Sequence, residues 1–302
     1  MLREDDMAVL KAKHPKKAEP KKPKILIFGA PGVGKTWGAL DFPCVYYLDC
    51  EGGATLHHYT DKLAKSGGVY LGPKDGANDM QVVLGEIHSL CTTNHNYRTL
   101  VIDSYSKLFN SAIAVEYERM EKAGREMDKT FGTEKKPAIA RTKQIIAWFD
   151  RLDMNVILVC HQKYLWKNGE QIGVTFDGWD KLEYELDLAL QIVKQGKSRK
   201  AKVCKCRLAQ FSEGEILDWS YAEFAKRYGR EVIESAAKTV APSGAEQIRI
   251  VEQLCEVVKL DEETRIKWFD KAGVDTWSEM DADTIGKCIA FLQKKIPAME
   301  PA

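Results

Sequence analysis

The chain has 302 residues, 45 Lys or Arg against 44 Asp or Glu, a hydrophobic fraction of 44% and a charged fraction of 29%. That balance excludes a mainly disordered chain and a protein acting through a global basic field. No run approaches the roughly 18 uninterrupted apolar residues of a membrane helix, and the N-terminus lacks a secretory apolar stretch, so no membrane contact and a cytoplasmic location are expected.

Residues 1–22 are rich in Lys and Pro and read as a flexible basic tail. KILIFG (24–29) is a compact apolar run, hence a strand, and it leads into GAPGVGKT (29–36) and a short helical stretch ending at Asp41. CVYYLD (44–49) is a second such run, bounded by Gly52 and Gly53. TLVID (99–103) and NVILVC (155–160) are a third and a fourth, and helices are predicted over 79–93, 104–121 and 138–152. Continuous apolar runs mark strands covered on both faces. Strands alternating with helices predict an α/β fold with a mostly parallel central sheet. Further strands are expected at 186–193 and 201–208, closing a core over 23–235.

The pattern changes after Tyr228. AAKTVAPSG (236–244) reads as a linker. Amphipathic helices near 245–258, 262–272 and 282–295 form a small helical domain over 245–302, with Ser243, Asp261 and Asp281 as N-caps and Gly273 as a stop. The eight cysteines contain no CxxC pair. Cys204 and Cys206 share a strand face and read as reduced thiols rather than half of a metal site.

Charge is uneven along the chain. Residues 1–24 carry eight basic side chains against four acidic, 194–207 carry seven against none, and 244–302 carry eight against twelve. The basic ribbon at 194–207 invites a polyanion, nucleic acid or nucleotide phosphate; the alternative is a solvated edge on which Lys deters pairing.

GAPGVGKT fits G-x-x-x-x-G-K-[ST]. Its glycines let successive backbone N–H groups converge on phosphate oxygens, and the following helix directs its positive end at them. Gly29, Ala30, Pro31, Gly32, Val33, Gly34, Lys35, Thr36 and Trp37 are therefore the candidate ATP-binding residues, with Lys35 reaching the β- and γ-phosphates and the Thr36 hydroxyl on Mg²⁺. Asp103, ending an apolar strand, is the candidate Walker B carboxylate for the metal; the alternative is a cap on the following helix. Ser104 follows it, so a catalytic base must come from elsewhere. Glu51 in YYLDCEGG is the best candidate, because parallel strand ends converge at one edge, and Asp49 is its rival. Gln162, ending the next strand, is placed to touch a γ-phosphate oxygen. Lys205 and Arg207, two apart on a strand, share a face and can neutralise charge on a transferred phosphoryl group.

In this order the pieces resemble the RecA fold. YYLDCEGGA resembles the segment bearing its catalytic Glu, TLVIDSYSKL its Walker B strand, and AIARTKQIIAWFDRLDMNVILVCHQK the helix and strand ending in its sensor glutamine, which maps onto Gln162. KVCKCRLA resembles the strand whose two cations reach a neighbour's γ-phosphate, which map onto Lys205 and Arg207. The likeness covers about 23–230 and is nearest to phage RecA-like P-loop ATPases of the single-strand annealing and recombination type. It implies ATP and Mg²⁺, single-stranded DNA, a homo-oligomeric ring or filament with ATP at the subunit interface, and a single-stranded DNA-binding protein as partner. It also implies two DNA-holding loops. The first, about 121–136, has Lys122, Arg125, Lys129, Lys135, Lys136 and Phe131 among Glu121, Glu126, Asp128 and Glu134. The second, about 163–180, holds Tyr164, Trp166, Phe176 and Trp179, and its acids (Glu170, Asp177, Asp180) outnumber Lys163 and Lys167. Aromatic faces can stack bases without sequence preference; the alternative is packing beneath a long loop.

The leading reading is an ATP-hydrolysing protein that binds single-stranded DNA in recombination. The alternative is a nucleotide-gated assembly switch or loader acting on a replication protein, with the acidic C-terminal helices docking through Trp268, Phe269 and Trp277. A small-molecule kinase is a third reading, for which the sequence offers no acceptor pocket.

Overall fold

A computed structural model of the chain describes residues 19–125, 130 and 132–295. The described residues build one mixed sheet from β1 (Lys24–Gly29), β2 (Val45–Asp49), β3 (Val69–Leu71), β4 (Thr99–Asp103), β5 (Asn155–Lys167), β6 (Glu170–Phe176), β7 (Leu188–Gln195), β8 (Ser198–Cys206) and β9 (Ile216–Asp218). The spatial order is β3-β2-β4-β5-β1-β7-β8-β9, with β6 paired to the outer half of β5. Pairing is parallel from β3 through β7 and antiparallel at β7/β8, β8/β9 and β5/β6. The α/β architecture predicted from the alternating runs is therefore present.

The apolar runs are continuous because each central strand is buried on both faces. On β1, Leu26 and Phe28 face one cluster and Ile25 and Ile27 the other, as the two-residue side-chain period requires. The first layer contains α3 (Met80–Thr92), α4 (Tyr105–Lys122) and α5 (Lys136–Phe149). The second contains α1 (Lys35–Ala39), α2 (His57–Lys65), α7 (Tyr221–Tyr228) and α8 (Arg230–Glu234). A single turn, α6 (Leu182–Glu185), leads into β7.

The C-terminal helices α9 (Ala245–Val258), α10 (Glu262–Ala272) and α11 (Ala282–Gln293) follow the expected spans closely. They share the first core cluster, through Val251, Val274, Trp277 and Ile285. Polar ties reinforce that packing: Trp148 Nε1 donates to Gly273 O at 2.9 Å, and Arg151 pairs with Asp281 at 3.0 Å. Asp261 and Asp281 cap α10 and α11 as expected, accepting from Thr264 N and Thr284 N, and Gly273 ends α10 with φ 69°. Ser243 is not the cap of α9. Gly244 holds that position, its N–H donated to Gln247 Oε1, while the Ser243 hydroxyl turns to Trp277 O.

Of the expected tail, residues 1–18 lie outside the described residues, and Lys22 is buried with its ammonium donating to Ser235 O at 2.7 Å. No helix among the described residues is long and apolar enough to cross a membrane.

Lys24 opens β1 and donates through Nζ to Leu152 O and Met154 O at 2.6 and 2.7 Å. Desolvation pushes this ammonium down from 10.5 to about 8, against the pull of Asp187. The unfolded chain therefore binds more protons between those values, so stability linked to Lys24 is full above 10.5 and lost as pH falls through about 8. Denaturation midpoints of the wild type, measured against Lys24→Met, should rise between pH 8 and 10.5; parallel profiles would contradict this burial.

Candidate nucleotide site

The site is a consequence of strand register. Asp49 pairs across from Asp103, Asp103 from Val159, and Gly29 from His161, so the C-terminal ends of β2, β4 and β1 finish along one sheet edge, beside His161 in β5. Ligands of open α/β sheets bind at that edge. Gly29, Pro31, Gly32, Lys35, Thr36, Glu51, Asp103, His161 and Gln162 line one cavity there of about 480 Å³.

The loop after β1 needs glycine where the backbone is crowded. A Cβ on Gly29 would fall 2.3 Å from Ile192 O on β7, and Gly34 has φ 88°. Lys35 Nζ donates to Gly29 O at 2.8 Å and Ala30 O at 3.0 Å, which holds the ammonium across the loop. Burial lowers its pKa, while Asp103 and Glu51 pull it up. Thr36 Oγ1 donates to Asp103 Oδ2 at 2.5 Å. Asp103 is buried, and desolvation pushes it up to about 6 against the lowering by Thr36 and Lys35, with Glu51 and Asp49 adding to the rise. A buried carboxylate beside a hydroxyl is a fitting oxygen pair for a hard divalent cation.

Residues 21–216 match a protein-family model described as an AAA domain. The chain belongs to this AAA-domain family. Among solved structures it is similar to the crystal structure of the RadB recombinase, at 19% identity, with 64% of this chain and 84% of that chain covered and a TM-score of 0.41. None of the curated proteins matches.

Within the AAA domain the two rival carboxylates have different surroundings. Asp49 accepts backbone N–H groups from Glu51, Gly52, Gly53 and Ala54 at 2.6 to 3.2 Å, so it organises the turn after β2. Glu51 stands in the cavity wall. Its Oε1 accepts from Ser104 Oγ at 2.5 Å and lies 2.5 Å from His161 Nε2. Ser104 also caps α4, accepting from Lys107 N at 3.1 Å, so the capping alternative considered for Asp103 falls to its neighbour. Sequence reasoning missed Ser104 and His161 as partners of Glu51. His161 carried a signal, since it stands beside Gln162 at a strand end that the sheet order brings to the loop.

Other expected residues are dispersed. Trp37 is partly exposed on α1, next to His58 and Tyr59, with Lys62 Nζ 3.7 Å from its ring centroid. Ala30, Pro31 and Val33 belong to the loop, and Val33 packs against the second core cluster. Lys205 and Arg207 lie beside the start of β7, because β8 runs antiparallel and Leu188 pairs with Cys206. They therefore sit at the edge opposite the loop after β1 and donate to Leu186 O and Tyr184 O. A register shift in the β7/β8 ladder falls at Cys204; that thiol is exposed, while Cys206 packs partly into the core, so the two do not share a face.

The segment expected as a second DNA loop is largely a β-hairpin, β5 running on to Lys167 and pairing with β6. Tyr164 and Trp166 are 55% and 64% exposed on it, whereas Phe176 is buried against Phe28 and Trp179 packs on the core. In the first segment, α4 continues to Lys122, and Glu126, Asp128, Lys129 and Phe131 lie outside the described residues. Trp277 is buried, with Trp268 and Phe269 edge-on against it, so these three rings form the helical core rather than docking anchors.

The two carboxylates should separate in stability. Asp49→Asn leaves backbone donors facing an amide and should cost on the order of 2 kcal/mol by denaturant melts. Glu51→Gln should cost less than about 1 kcal/mol, since Glu51 itself and His161 are exposed to water. Equal losses would contradict this division.

Proposed function

We propose that this AAA domain binds and hydrolyses ATP and acts on single-stranded DNA in recombination of the phage annealing type. The observation that carries the reading is the convergence of Lys35, Thr36, Asp103 and Glu51 on one cavity at the sheet edge. Thr36 and Asp103 would hold Mg²⁺, which supplies charge neutralisation on the phosphate oxygens. Lys35 offers its ammonium to the β- and γ-phosphates. Glu51, steadied by Ser104 and His161, orients and deprotonates the water that attacks the γ-phosphorus in line. Gln162 opens onto the same cavity and is continuous with the hairpin that bears Tyr164 and Trp166. That continuity supports a link between the γ-phosphate end and base stacking on the exposed rings.

Lys205 and Arg207 serve a neighbour's site in this reading. From Ser198, beside the end of β7, to Cys206, beside its start, β8 spans about 26 Å at ~3.3 Å per residue. Cavity and cations on opposite edges favour a head-to-tail assembly, whose closure decides between ring and filament.

Lys35→Ala should abolish nucleotide binding. Glu51→Gln should keep binding while turnover falls on the order of 100-fold or more. Normal turnover in Glu51→Gln would move the base elsewhere. Tyr164→Ala with Trp166→Ala should weaken salt-sensitive retention of an oligothymidine without changing DNA-free turnover; undiminished retention would remove the hairpin from the DNA path.

A further inference from the structure

The β7–β8 hairpin folds over the phosphate loop and rests one side chain on it. A Cβ on Gly34 would fall 2.0 Å from Arg199 Nε and 3.0 Å from Arg199 Cζ. The guanidinium therefore lies directly against the loop backbone, and Gly34 is the residue whose missing side chain admits it. The Arg199 backbone is fixed by two neighbours, pairing opposite Lys194 in the ladder and accepting from Trp219 N at 2.9 Å.

The charges around Arg199 are uneven. Among the described residues no carboxylate lies within 4.0 Å of its guanidinium, although the neighbouring Lys200 pairs with Asp218 at 2.7 Å. The adjacent cation, Lys62, is tied to Asp41 at 2.6 Å. Lys62 is lowered chiefly by burial, with Asp41 opposing and Arg199 adding to the fall. The Tyr59 phenol is raised chiefly by burial and by Asp103, with Arg199 opposing. Arg199 is thus close enough to act on the Thr36, Trp37 and Tyr59 side of the loop. It does not line the cavity that holds Glu51 and Gln162.

Given the nucleotide site proposed above, we infer that Arg199 is a phosphate-binding residue of its own subunit, gripping the diphosphate portion of the nucleotide at the end remote from Glu51. Lys35 and Arg199 then stand on either side of Gly34, a point charge toward the γ end and a planar fork toward the nucleoside end. A guanidinium suits this position because its donors can bridge two phosphate oxygens at once. Its role is binding rather than chemistry, which distinguishes it from Lys205 and Arg207. A cation supplied to a neighbour changes turnover in the assembly, whereas Arg199 changes the affinity of a single subunit for ADP.

The test is equilibrium binding of a fluorescent ADP to dilute, full-length protein, alongside saturating-ATP turnover. Arg199→Ala should weaken ADP on the order of tenfold or more, and Arg199→Lys should weaken it less. Arg199 is exposed, so neither substitution threatens folding; matching melting curves check this. Unchanged ADP affinity in Arg199→Ala, while Lys35→Ala loses binding, overturns the role of Arg199 and leaves the nucleotide site standing. Retained binding in Lys35→Ala overturns the nucleotide site itself. A fall in turnover with ADP affinity intact assigns Arg199 to the chemistry and also overturns the inference.

Discussion

Everything at the candidate site depends on the in-register parallel pairing of β1, β5, β4 and β2. Parallel ladders align chain direction, so β1, β2 and β4 end at the same edge, where β5 passes with His161. The pairs Asp49 with Asp103 and Gly29 with His161 set how far each strand projects. A shift of one residue in β4 would turn Asp103 to the opposite face and bring an apolar neighbour to the edge. The register is protected by burial on both faces, since Leu100, Val101 and Ile102 are fully inaccessible. The hydrophobic core thus holds a polar site in alignment without contributing a polar atom to it.

The antiparallel addition of β8 has a second effect. It takes a basic ribbon that is contiguous in sequence and divides it between opposite edges of the sheet. Arg199 meets Gly34 in the loop after β1, while Lys205 and Arg207 reach the far side. Strand β8 is flanked by β7 and β9 along Lys200 to Lys202, so its two ends belong to one rigid element rather than to a loop. In the proposed reading, this paired strand would join the nucleotide edge to the edge of subunit contact.

Much of this was legible in sequence because burial on both faces leaves an unmistakable mark. KILIFG, CVYYLD, TLVID and NVILVC needed no alternation to be recognised, and GAPGVGKT carries its own spacing. The elements that escaped notice are short or two-sidedly exposed. VYL and ILD form three-residue edge strands, β3 and β9, too brief for any period to register. The run HQKYLWK continues β5 beyond the sheet body, where neither face is covered and side-chain alternation carries no information. Tertiary partners were also hidden: nothing in the local sequence ties His161 to Glu51 or Arg199 to Gly34, which lie 110 and 165 residues apart. The roles of Trp268, Phe269 and Trp277 misled for a related reason, because an aromatic in a short helix looks the same whether it faces a partner or its own small core.

The cavity also keeps its opposite charges from collapsing onto each other. Lys35 has no carboxylate within 4.0 Å among the described residues, although Asp103 and Glu51 line the same space. Three tethers account for this. Carbonyls of Gly29 and Ala30 hold the ammonium, the Thr36 hydroxyl holds Asp103, and Ser104 with His161 holds Glu51. A direct Lys35 ion pair would neutralise the site and would have to be broken before a phosphate chain entered. Tethering to carbonyls, hydroxyls and an imidazole instead leaves positive and negative potential side by side and fixed in advance. Such preorganisation is what allows electrostatic groups to act on developing charge without reorganising. It also explains why burial can push the Asp103 carboxyl up to about 6, since the nearest cation is kept from compensating it fully.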